Sequence, residues 1–390
     1  MSRFPLVTET FIVRELDALV SLHDVDVELR ALFPAPEGPV HDLARPWARI
    51  LRRPRPAAVL RGLLWAVRHH PRALLVAVAA VVTDHRRVPG LMVRALLTVA
   101  IACAHAREME GSGTDRVHAH FATYPALAAW VCRRLTGIPY SFTVHAHDLF
   151  VDRSMLGRKI GEADVVITIS EFNKRLLEQG TSGTPVEVVR CGVRTDHYAF
   201  RPRRIPSSGA VRALCVASLQ EYKGHRTLLE AIARGGACER LELELIGDGP
   251  QRDELEHLAG RLGLAARVRF SGAQPEHLVR QALERADLFV LPSVVARDGQ
   301  MEGLPVVLLE ALASGVPTVS TRLSGIPEIV VDGRTGLLAE PADIDDLHRV
   351  LEKVLAGGGD AIEWARAGRE LVETEFELNR NVARLAGILA

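Results

Sequence analysis

The chain has 390 residues, 48 of them basic and 48 acidic, so its formal net charge of zero excludes the broad positive field on which general nucleic-acid binding depends. This length exceeds one ordinary hydrophobic core and fits two domains. The five cysteines are scattered and form no Cys-x-x-Cys pair, which argues against a disulfide framework or a zinc site and indicates a reducing compartment.

Strand-like and helix-like patterns alternate in the N-terminal half. The predicted strands lie at 25–32, 116–120, 140–145, 165–170 and 186–190. This alternation is typical of βαβ units around a parallel sheet. The first residues show no apolar stretch of the kind found in a secretion signal, so we expect the protein in the cytoplasm.

A basic segment at 45–94 contains eleven arginines and a single acid, Asp84, interleaved with aliphatic residues at helical spacing. Its apolar runs at 73–82 and 91–104 are shorter than the roughly 20 residues of a membrane span. We favour peripheral contact with the anionic inner face of the cell membrane. The alternative is that the apolar stripes are domain core and the arginines form a solvated rim.

The C-terminal half is more regular, and it follows a Pro- and Arg-rich linker at 200–209. Predicted strands lie at 213–218, 241–246, 268–271, 288–292 and 317–321. Predicted helices lie at 226–234, 251–262, 276–285, 304–314 and 343–355. Ligands of such sheets bind beyond the carboxyl ends of the strands, so the residues just after each strand are candidates for a site.

Two acids, Glu302 and Glu310, stand eight residues apart across the predicted start of an apolar helix, with Pro305 in its first turn. At a rise of ~1.5 Å per residue, the spacing is on the order of 12 Å, comparable with the span from a ribose to a sugar across a diphosphate. The first-turn N–H groups and the positive end of the helix dipole offer a diphosphate site between them.

Two His-x-His pairs, His118/His120 and His145/His147, suggest an alternative. Residues i and i+2 of a strand share a face, so each pair could present two imidazoles to a metal, with Asp148 as the obvious third ligand. We favour no metal. We also expect His118 to be a hydrogen-bonded core histidine rather than a site residue.

The Glu302…Glu310 motif, together with Gly315 and Pro317, resembles the signature of the family-four retaining glycosyltransferases. Further segments extend the resemblance over nearly the whole chain in the expected order. They begin at residues 4, 118, 142, 169, 191, 222, 246 and 324. The segments at 4–12 and 142–148 are most similar to the branch that builds bacterial exopolysaccharides such as colanic acid.

The resemblance implies an α/β fold of GT-B type, with two Rossmann-like parallel-sheet domains facing a central cleft. It implies an acceptor-binding domain at 1–199, a nucleotide-sugar-binding domain at 210–362 and C-terminal helices at 363–390 that cross back to the first domain. The implied enzyme is a hexosyltransferase of bacterial polysaccharide or glycolipid biosynthesis. It would move a sugar from a nucleotide-diphosphate sugar to an acceptor with retention of configuration.

The resemblance also implies residue roles. The implied catalytic residues are His145, Glu302 and Lys223. The implied donor-binding residues are Ser218, Lys223, Gly303, Leu304 and Glu310. The implied acceptor and cleft residues are Thr8, Glu9, His120, His147, Asp148 and Asn173. No metal or other cofactor is implied, since the nucleotide sugar is a substrate.

One departure from the family pattern concerns the donor phosphates. The family's usual arginine, five residues before the lysine, is replaced by Ser218. Arg190, Arg194 or Arg297 could replace it, or donor binding could rest on Lys223 and the helix terminus.

The loss of this arginine leaves several functions open. The expected partners are a nucleotide-sugar donor, a lipid-linked saccharide or other acceptor, and an anionic membrane, but no nucleic acid. Alternatives are transfer to a small natural-product acceptor, another GT-B-like reaction such as epimerisation or phosphorolysis, and nucleotide-sugar binding without transfer.

Overall fold

The computed structural model describes residues 1–5, 9–23, 25–36, 42–179, 183–357 and 361–390. Contacts divide the chain into two compact units, the first containing 1–189 and 382–390 and the second containing 190–381. The division at 189/190 lies before the linker predicted at 200–209. The chain returns to the first unit at Val382, within its last helix, rather than from residue 363 onward.

The first unit is built on a four-stranded parallel sheet in the order β1-β2-β3-β4. The strands are β1 (Val117–His120), β2 (Tyr140–Val144), β3 (Val165–Thr168) and β4 (Val186–Val188). All residues of β2 and β3 are buried, which explains why these strands appear in the sequence as continuous apolar runs rather than alternating ones.

Helices cover this sheet and form most of the core of the first unit. They are α1 (Thr10–Leu22), α2 (Ala44–Ile50), α3 (Pro56–His69), α4 (Pro71–His85), α5 (Pro89–Glu110), α6 (Tyr124–Thr136), α7 (Ala146–Phe150), α8 (Leu156–Gly161) and α9 (Glu171–Glu178). Trp130 of α6 and Phe142 of β2 are fully buried. Leu385, from the last helix, packs with Ile167 and Val189, so the chain end belongs to this core.

The strand predicted at 25–32 is wrong. The segment forms only an isolated bridge between Arg30 and Arg52, with a further backbone hydrogen bond from Leu32 to Met1, and it joins neither sheet of the described residues. The first residues of the segment, including Val25, are exposed, and so they lack the burial that a sheet strand of this unit has. Its β-branched composition was therefore a weak guide to pairing.

The second unit contains a six-stranded parallel sheet in the order β10-β9-β8-β5-β6-β7. The strands are β5 (Val211–Val216), β6 (Leu241–Ile246), β7 (Val268–Phe270), β8 (Leu288–Leu291), β9 (Thr318–Thr321) and β10 (Leu337–Ala339). The helices are α10 (His225–Ile232), α11 (Arg252–Arg261), α12 (Glu276–Arg285), α13 (Val306–Ser314), α14 (Ile344–Gly357) and α15 (Ala361–Glu375). The last helix, α16 (Leu378–Leu389), begins in the second unit and ends in the first. This strand order is that of a doubly wound dinucleotide-binding sheet. The short edge strand β10 was not predicted.

The helix predicted to begin at 304 begins at Val306, and Pro305 is its extended N-cap residue rather than part of its first turn. Glu302 therefore precedes the helix by four residues. The helical rise used to estimate the spacing of the two acids applies only to the part of the chain from 306 onward.

Candidate functional site

The carboxyl ends of β5 and β8 lie side by side in the second unit, at the point where the strand order reverses. Sheets of this topology bind their ligands there. Gly224 makes the close approach possible: it has a φ of +74°, and a Cβ atom on it would lie 1.8 Å from the carbonyl oxygen of Pro292. The N–H of Val294 donates to the carbonyl of Tyr222 at 2.9 Å and joins the two segments.

This junction brings Lys223 and Glu302 together. Lys223 ends a short 3-10 helix after β5, and its ammonium donates to the Glu302 carboxylate. The side chains are only 14% and 10% exposed. Burial acts against the charge of Lys223, but Glu302 and Tyr222 outweigh it and raise its pKa. The junction therefore contains a charged lysine beside a carboxylate.

A serine turn fixes the backbone on which Glu302 stands. The hydroxyl of Ser324 donates to the carbonyls of Glu302 at 2.5 Å and Gly303 at 3.0 Å, and the N–H of Gly325 donates to Gly303 at 3.2 Å. Ser324 has a φ of +48°, an unusual conformation for a residue other than glycine. These contacts involve only the backbone carbonyls of Glu302 and Gly303, so the Glu302 carboxylate can accept from Lys223.

The other predicted donor-binding residues lie around the same junction. Ser218 follows β5, and Gly303 and Leu304 are buried just before α13. Glu310 is half-buried in the middle of α13. At the start of α13 the N–H of Leu308 donates to the carbonyl of Pro305 at 3.1 Å, whereas the N–H groups of Val306 and Val307 have no partner within the helix. All five donor residues thus belong to the second unit, as expected.

The three candidates for the replaced arginine differ in their surroundings. Arg190 is 17% exposed and paired with Glu328 at 3.2 Å. Arg194 is paired with Asp196 at 2.9 Å. The Arg297 side chain is 95% exposed in the segment after β8, and its Nε lies 3.4 Å from Glu221, two residues before Lys223. Arg297 is therefore the candidate placed beside the junction.

In the first unit, His145 lies at the end of β2 and caps the short helix α7. It is 7% exposed and its Nε2 has no hydrogen-bond partner among the described residues. The rings of Phe11 and Phe121 lie 5.2 and 4.6 Å from its ring, centroid to centroid. Burial, followed by the neighbouring His120, lowers the pKa of His145 well below its normal value, so its imidazole is neutral at pH 7.

His120 stacks on His145 with a centroid distance of 5.8 Å and an angle of 24° between the rings. Its Nε2 lies 3.2 Å from Oε1 of Glu15, a residue of α1. Burial lowers the pKa of His120 to about 3 and raises that of Glu15 to about 7. The contact is therefore best described as a hydrogen bond that involves a neutral imidazole.

The Asp148 side chain holds two segments of backbone together. Its carboxylate accepts the N–H groups of His145 at 2.9 Å and Ala122 at 2.5 Å. Burial raises its pKa, and these two backbone donors oppose the rise. Asp148 thus joins the ends of β1 and β2, which explains its place next to His145.

The remaining predicted acceptor residues are less uniform. Asn173, in the first turn of α9 after β3, is fully buried, and neither atom of its amide group has a partner among the described residues. Glu9 precedes α1, and burial raises its pKa to about 7. His147 is exposed. Thr8 lies outside the described residues.

The metal alternatives find no matching geometry among the described histidines. β2 ends at Val144, so His145 is buried and His147 exposed instead of sharing a strand face. His118 hydrogen-bonds to Ser141 at 2.9 Å and to Thr143 at 3.0 Å, as expected for a core histidine.

A different cluster of potential ligands, Cys238, His348 and Glu352, lies in the second unit. Nδ1 of His348 lies 3.1 Å from the carbonyl of Ala231, and the N–H of Cys238 donates to Glu352 at 3.2 Å. When Nδ1 of His348 carries its proton, it donates to the Ala231 carbonyl. The same nitrogen faces the Cys238 sulfur, so in that state it cannot bind a metal together with the sulfur. These contacts serve packing.

Glu15 was missed by sequence reasoning, although a signal for it exists. Ile12, Leu16 and Leu19 form the buried stripe of α1, and Glu15 is adjacent to that stripe in the helical wheel. An acid on an apolar face needs a partner, and here the partner is His120.

The basic segment forms α3, α4 and the start of α5, where many aliphatic side chains are exposed. Those on the surface of these helices include Leu60, Leu64, Val67, Leu75, Val93 and Leu97, with exposed fractions from 49% to 68%. We call this face, with its arginines, the α3–α5 surface. The single acid of the basic segment 45–94, Asp84, lies 3.5 Å from Arg158.

The expectation that no apolar stretch reaches the length of a span needs correction. The helix α5 continues past the apolar run at 91–104 and has 22 residues, enough to cross a membrane by length and composition. Half of its apolar window is buried inside the protein, and core helices of globular domains meet the same criteria.

Comparison with known proteins gives two matching family models. The model described as Glycosyltransferase Family 4 matches residues 8–197, and the model described as glycosyl transferases group 1 matches residues 201–371. Together they cover nearly the whole chain.

Three curated relatives illustrate the similarity. The amylovoran biosynthesis glycosyltransferase AmsK of Erwinia amylovora is 33% identical over 236 residues, which are 60% of this chain and 57% of AmsK. WcaL of Escherichia coli, named for colanic acid biosynthesis, is 36% identical over 57% of this chain and 56% of its own length. A GDP-mannose-dependent phosphatidylinositol monomannoside mannosyltransferase of Mycobacterium tuberculosis is 30% identical over 63% of this chain and 68% of its own. The chain thus spans little more than half the length of the first two.

Solved structures show the same fold at low sequence identity. A glycosyltransferase from Rickettsia africae superposes with a TM-score of 0.70 at 14% identity, over 99% of this chain and 96% of its own. Anabaena HepE in complex with UDP has a TM-score of 0.61 at 20% identity, over 74% of this chain and 81% of its own. Both support an architecture of two parallel-sheet α/β domains.

Proposed function

The chain belongs to the glycosyltransferases of group 1 and family 4, and on this premise we propose that it transfers a sugar from a nucleotide-diphosphate donor to an acceptor in bacterial polysaccharide or glycolipid biosynthesis. The relatives support this setting, since two are named for amylovoran and colanic acid biosynthesis and one is named a phosphatidylinositol monomannoside mannosyltransferase.

One observation carries the proposal: the Lys223–Glu302 pair at the β5/β8 junction. A buried ammonium suits a diphosphate, and the start of α13 adds N–H groups and the positive end of a helix dipole nearby. In the proposed complex the donor phosphates contact Lys223 and these N–H groups. Glu302 then binds the sugar, and Glu310 the ribose.

For the chemical step we propose retention of anomeric configuration by front-face attack. The leaving diphosphate accepts the proton of the acceptor hydroxyl, and Lys223 stabilises the charge that develops on the phosphate. No enzymic nucleophile is needed in this scheme. No metal is needed either, because the lysine and the helix terminus offset the phosphate charge.

In the first unit, the unpaired polar atoms of His145 and Asn173 support a role in contacting the transferred sugar or the acceptor. Buried polar atoms without partners are costly and are commonly satisfied by a ligand or by water. Of the predicted acceptor residues, Asp148 orients the backbone next to His145.

Calorimetric titration with UDP, GDP and ADP tests the donor site and its base preference. Lys223→Ala should weaken the preferred nucleotide by roughly ten- to a hundredfold, since a charge-assisted contact contributes about 1.5–3 kcal/mol. Lys353→Ala, an exposed lysine of α14, is the matched control and should bind as wild type. Equal nucleotide affinity in wild type and Lys223→Ala would refute the proposed phosphate site.

Donor turnover with and without acceptor separates the remaining alternatives. Consumption only with an acceptor supports transfer, and NMR of the anomeric proton of the product tests retention. Binding without any turnover would indicate a nucleotide-sugar-binding protein, and turnover without an acceptor a different reaction.

We also propose that the α3–α5 surface contacts anionic membranes reversibly. Exposed aliphatic side chains and arginines with one neutralised acid support this, and each arginine near the surface contributes about 1 kcal/mol. Co-sedimentation with anionic vesicles at low salt should decrease at high salt. Arg61→Ala/Arg68→Ala should weaken it, whereas Arg261→Ala/Arg285→Ala in the second unit should not. No binding at low salt would favour a soluble acceptor.

A further inference from the structure

A cavity of about 620 Å³ opens in the first unit beside α5 and α6, and none of the roles given above uses it. Nine residues line it. They include Arg3, Phe33, Val93, Arg94, Leu97 and Tyr124. Its lining thus combines two guanidinium groups and a phenol with aliphatic side chains, and no carboxylate lines it among the residues that the structure describes.

The polar part of the cavity suits an anion. The Arg94 guanidinium lies 5.8 Å from the centre of the Tyr124 ring. Arg3 comes from a different segment of the chain and lines the same space. Two arginines provide the planar donors that bind a phosphate from two directions. Asp152, an acid whose charge reaches Tyr124, accepts the N–H of Ser154 at 3.0 Å.

The apolar part of the cavity is continuous with the α3–α5 surface. Val93 and Leu97 are one helical turn apart on α5, line the cavity and are 65% and 49% exposed. Val93 and Leu97 thus belong both to the cavity and to the surface, so an apolar chain that lies on this surface has apolar contacts that lead into the cavity.

The loop from Phe121 to Tyr124 connects the cavity to the histidine cluster. Phe121 contacts the His145 ring, and three residues later Tyr124 lines the cavity. Between them, the N–H of Ala122 is held by Asp148 and its carbonyl by the buried ammonium of Lys159. The distance between the two sites is thus set by a short, anchored segment.

We propose that this cavity binds the phosphate group and the first carbons of the apolar chain of a lipid-linked saccharide acceptor. The loop then places the saccharide end of that acceptor towards His145. This inference rests on the proposed glycosyl transfer, whose acceptor it specifies.

The probes are decyl phosphate below its micellar concentration, decanol and inorganic phosphate, each titrated into the full chain. Decyl phosphate should bind, and both partial probes should bind at least tenfold more weakly. Arg94→Ala and Arg3→Ala should each weaken decyl phosphate by about tenfold or more, because each removes a charge-assisted contact. Leu97→Ser should weaken decyl phosphate but leave inorganic phosphate unchanged.

Arg261→Ala, which removes an exposed arginine of α11 in the second unit that does not line the cavity, is the matched control and should leave decyl phosphate affinity unchanged. Equal losses in Arg261→Ala and Arg94→Ala would mean general charge attraction and overturn the site, as would decanol binding as tightly as decyl phosphate. Nucleotide titrations on the same samples keep the two proposals apart. Intact nucleotide binding without decyl phosphate binding refutes only the cavity, whereas loss of nucleotide binding in wild type refutes the donor site.

Discussion

Both units have buried polar residues near the carboxyl ends of parallel strands, but these residues are charged in the second unit and neutral in the first. The second unit buries a charged pair, Lys223 and Glu302. The first buries neutral imidazoles, His120 and His145, one stacked on the other. The difference fits a charged donor on one unit and an uncharged saccharide hydroxyl on the other.

The physical reason lies in the partners available. Burial is the main cause that keeps both imidazoles neutral, and for His145 the neighbouring His120 adds to it. Lys223 has a carboxylate against it, which offsets the cost of burying the ammonium. Burial therefore removes the charge of the imidazoles, whereas the contact with Glu302 keeps that of Lys223.

The largest effect should come from breaking the charged pair. Glu302→Gln should lower the transfer rate by about 10²–10³, since it removes a preorganised contact to the sugar. Nucleotide diphosphate affinity should be kept or improved, because Lys223 no longer shares its charge with a carboxylate. Rates and calorimetry on the variant measure both.

Glu340→Gln, which alters an exposed acid paired with Arg322, serves as the control and should transfer at the wild-type rate. A Glu302→Gln enzyme with near wild-type turnover would place the sugar contact elsewhere.

His145→Ala, in the first unit, should lower the transfer rate by about 10². Nucleotide affinity should stay unchanged, because the proposed donor site lies in the second unit. Thermal melting checks that the buried cluster still folds. His277→Ala, at an exposed position of α12, is the imidazole control. If nucleotide affinity fell together with the rate, the assignment of His145 to the sugar or acceptor would fail.

A smaller effect should appear in stability. The pKa of Glu15 is about 7 in the folded protein and 4.5 is its normal value, so the folded state keeps a proton that the unfolded chain releases between these pH values. Its contribution to stability is therefore lost as pH rises from about 4.5 to 7. Glu15→Gln removes this loss, so its melting temperature relative to wild type should be higher at pH 8 than at pH 4.5.

Glu242→Gln, at an exposed position, is the control, and its melting temperature should differ from that of wild type by the same amount at pH 4.5 and at pH 8. Burial lowers the pKa of His120 from 6.5 to about 3, so this residue makes the folded state less stable as the pH falls below 6.5. Both proteins contain His120, so its effect cancels in the comparison. A pH-independent difference for Glu15→Gln would mean that the buried carboxyl is ionised throughout.

Removal of divalent ions should have the smallest effect of all. If Lys223 and the start of α13 hold the diphosphate, transfer should continue at the same rate in EDTA. Activity that disappears in chelator and returns with Mg²⁺ or Mn²⁺ would show that the donor diphosphate also needs a divalent ion.

Much of the second unit could be predicted from sequence. Its buried strands and helices alternate regularly, and strands such as 241–246 and helices such as 276–285 were predicted at their observed bounds. The first unit was harder: exposure of Val25 excluded a strand that composition favoured, and the core helix α5 extends beyond its apolar run. Local pattern is informative where burial is uniform along an element.

The sequence by itself determined the family, the parallel sheets, the position of Lys223 and His145 at strand ends and that of Glu302 just before a helix, because periodicity and motif spacing are local properties. Only the tertiary structure decided that Lys223 pairs with Glu302, 79 residues away, that Glu15 meets His120, and that His147 is exposed while His145 is buried. Charge state and ligand access depend on which distant side chains share a buried volume, and no pattern within one segment specifies that.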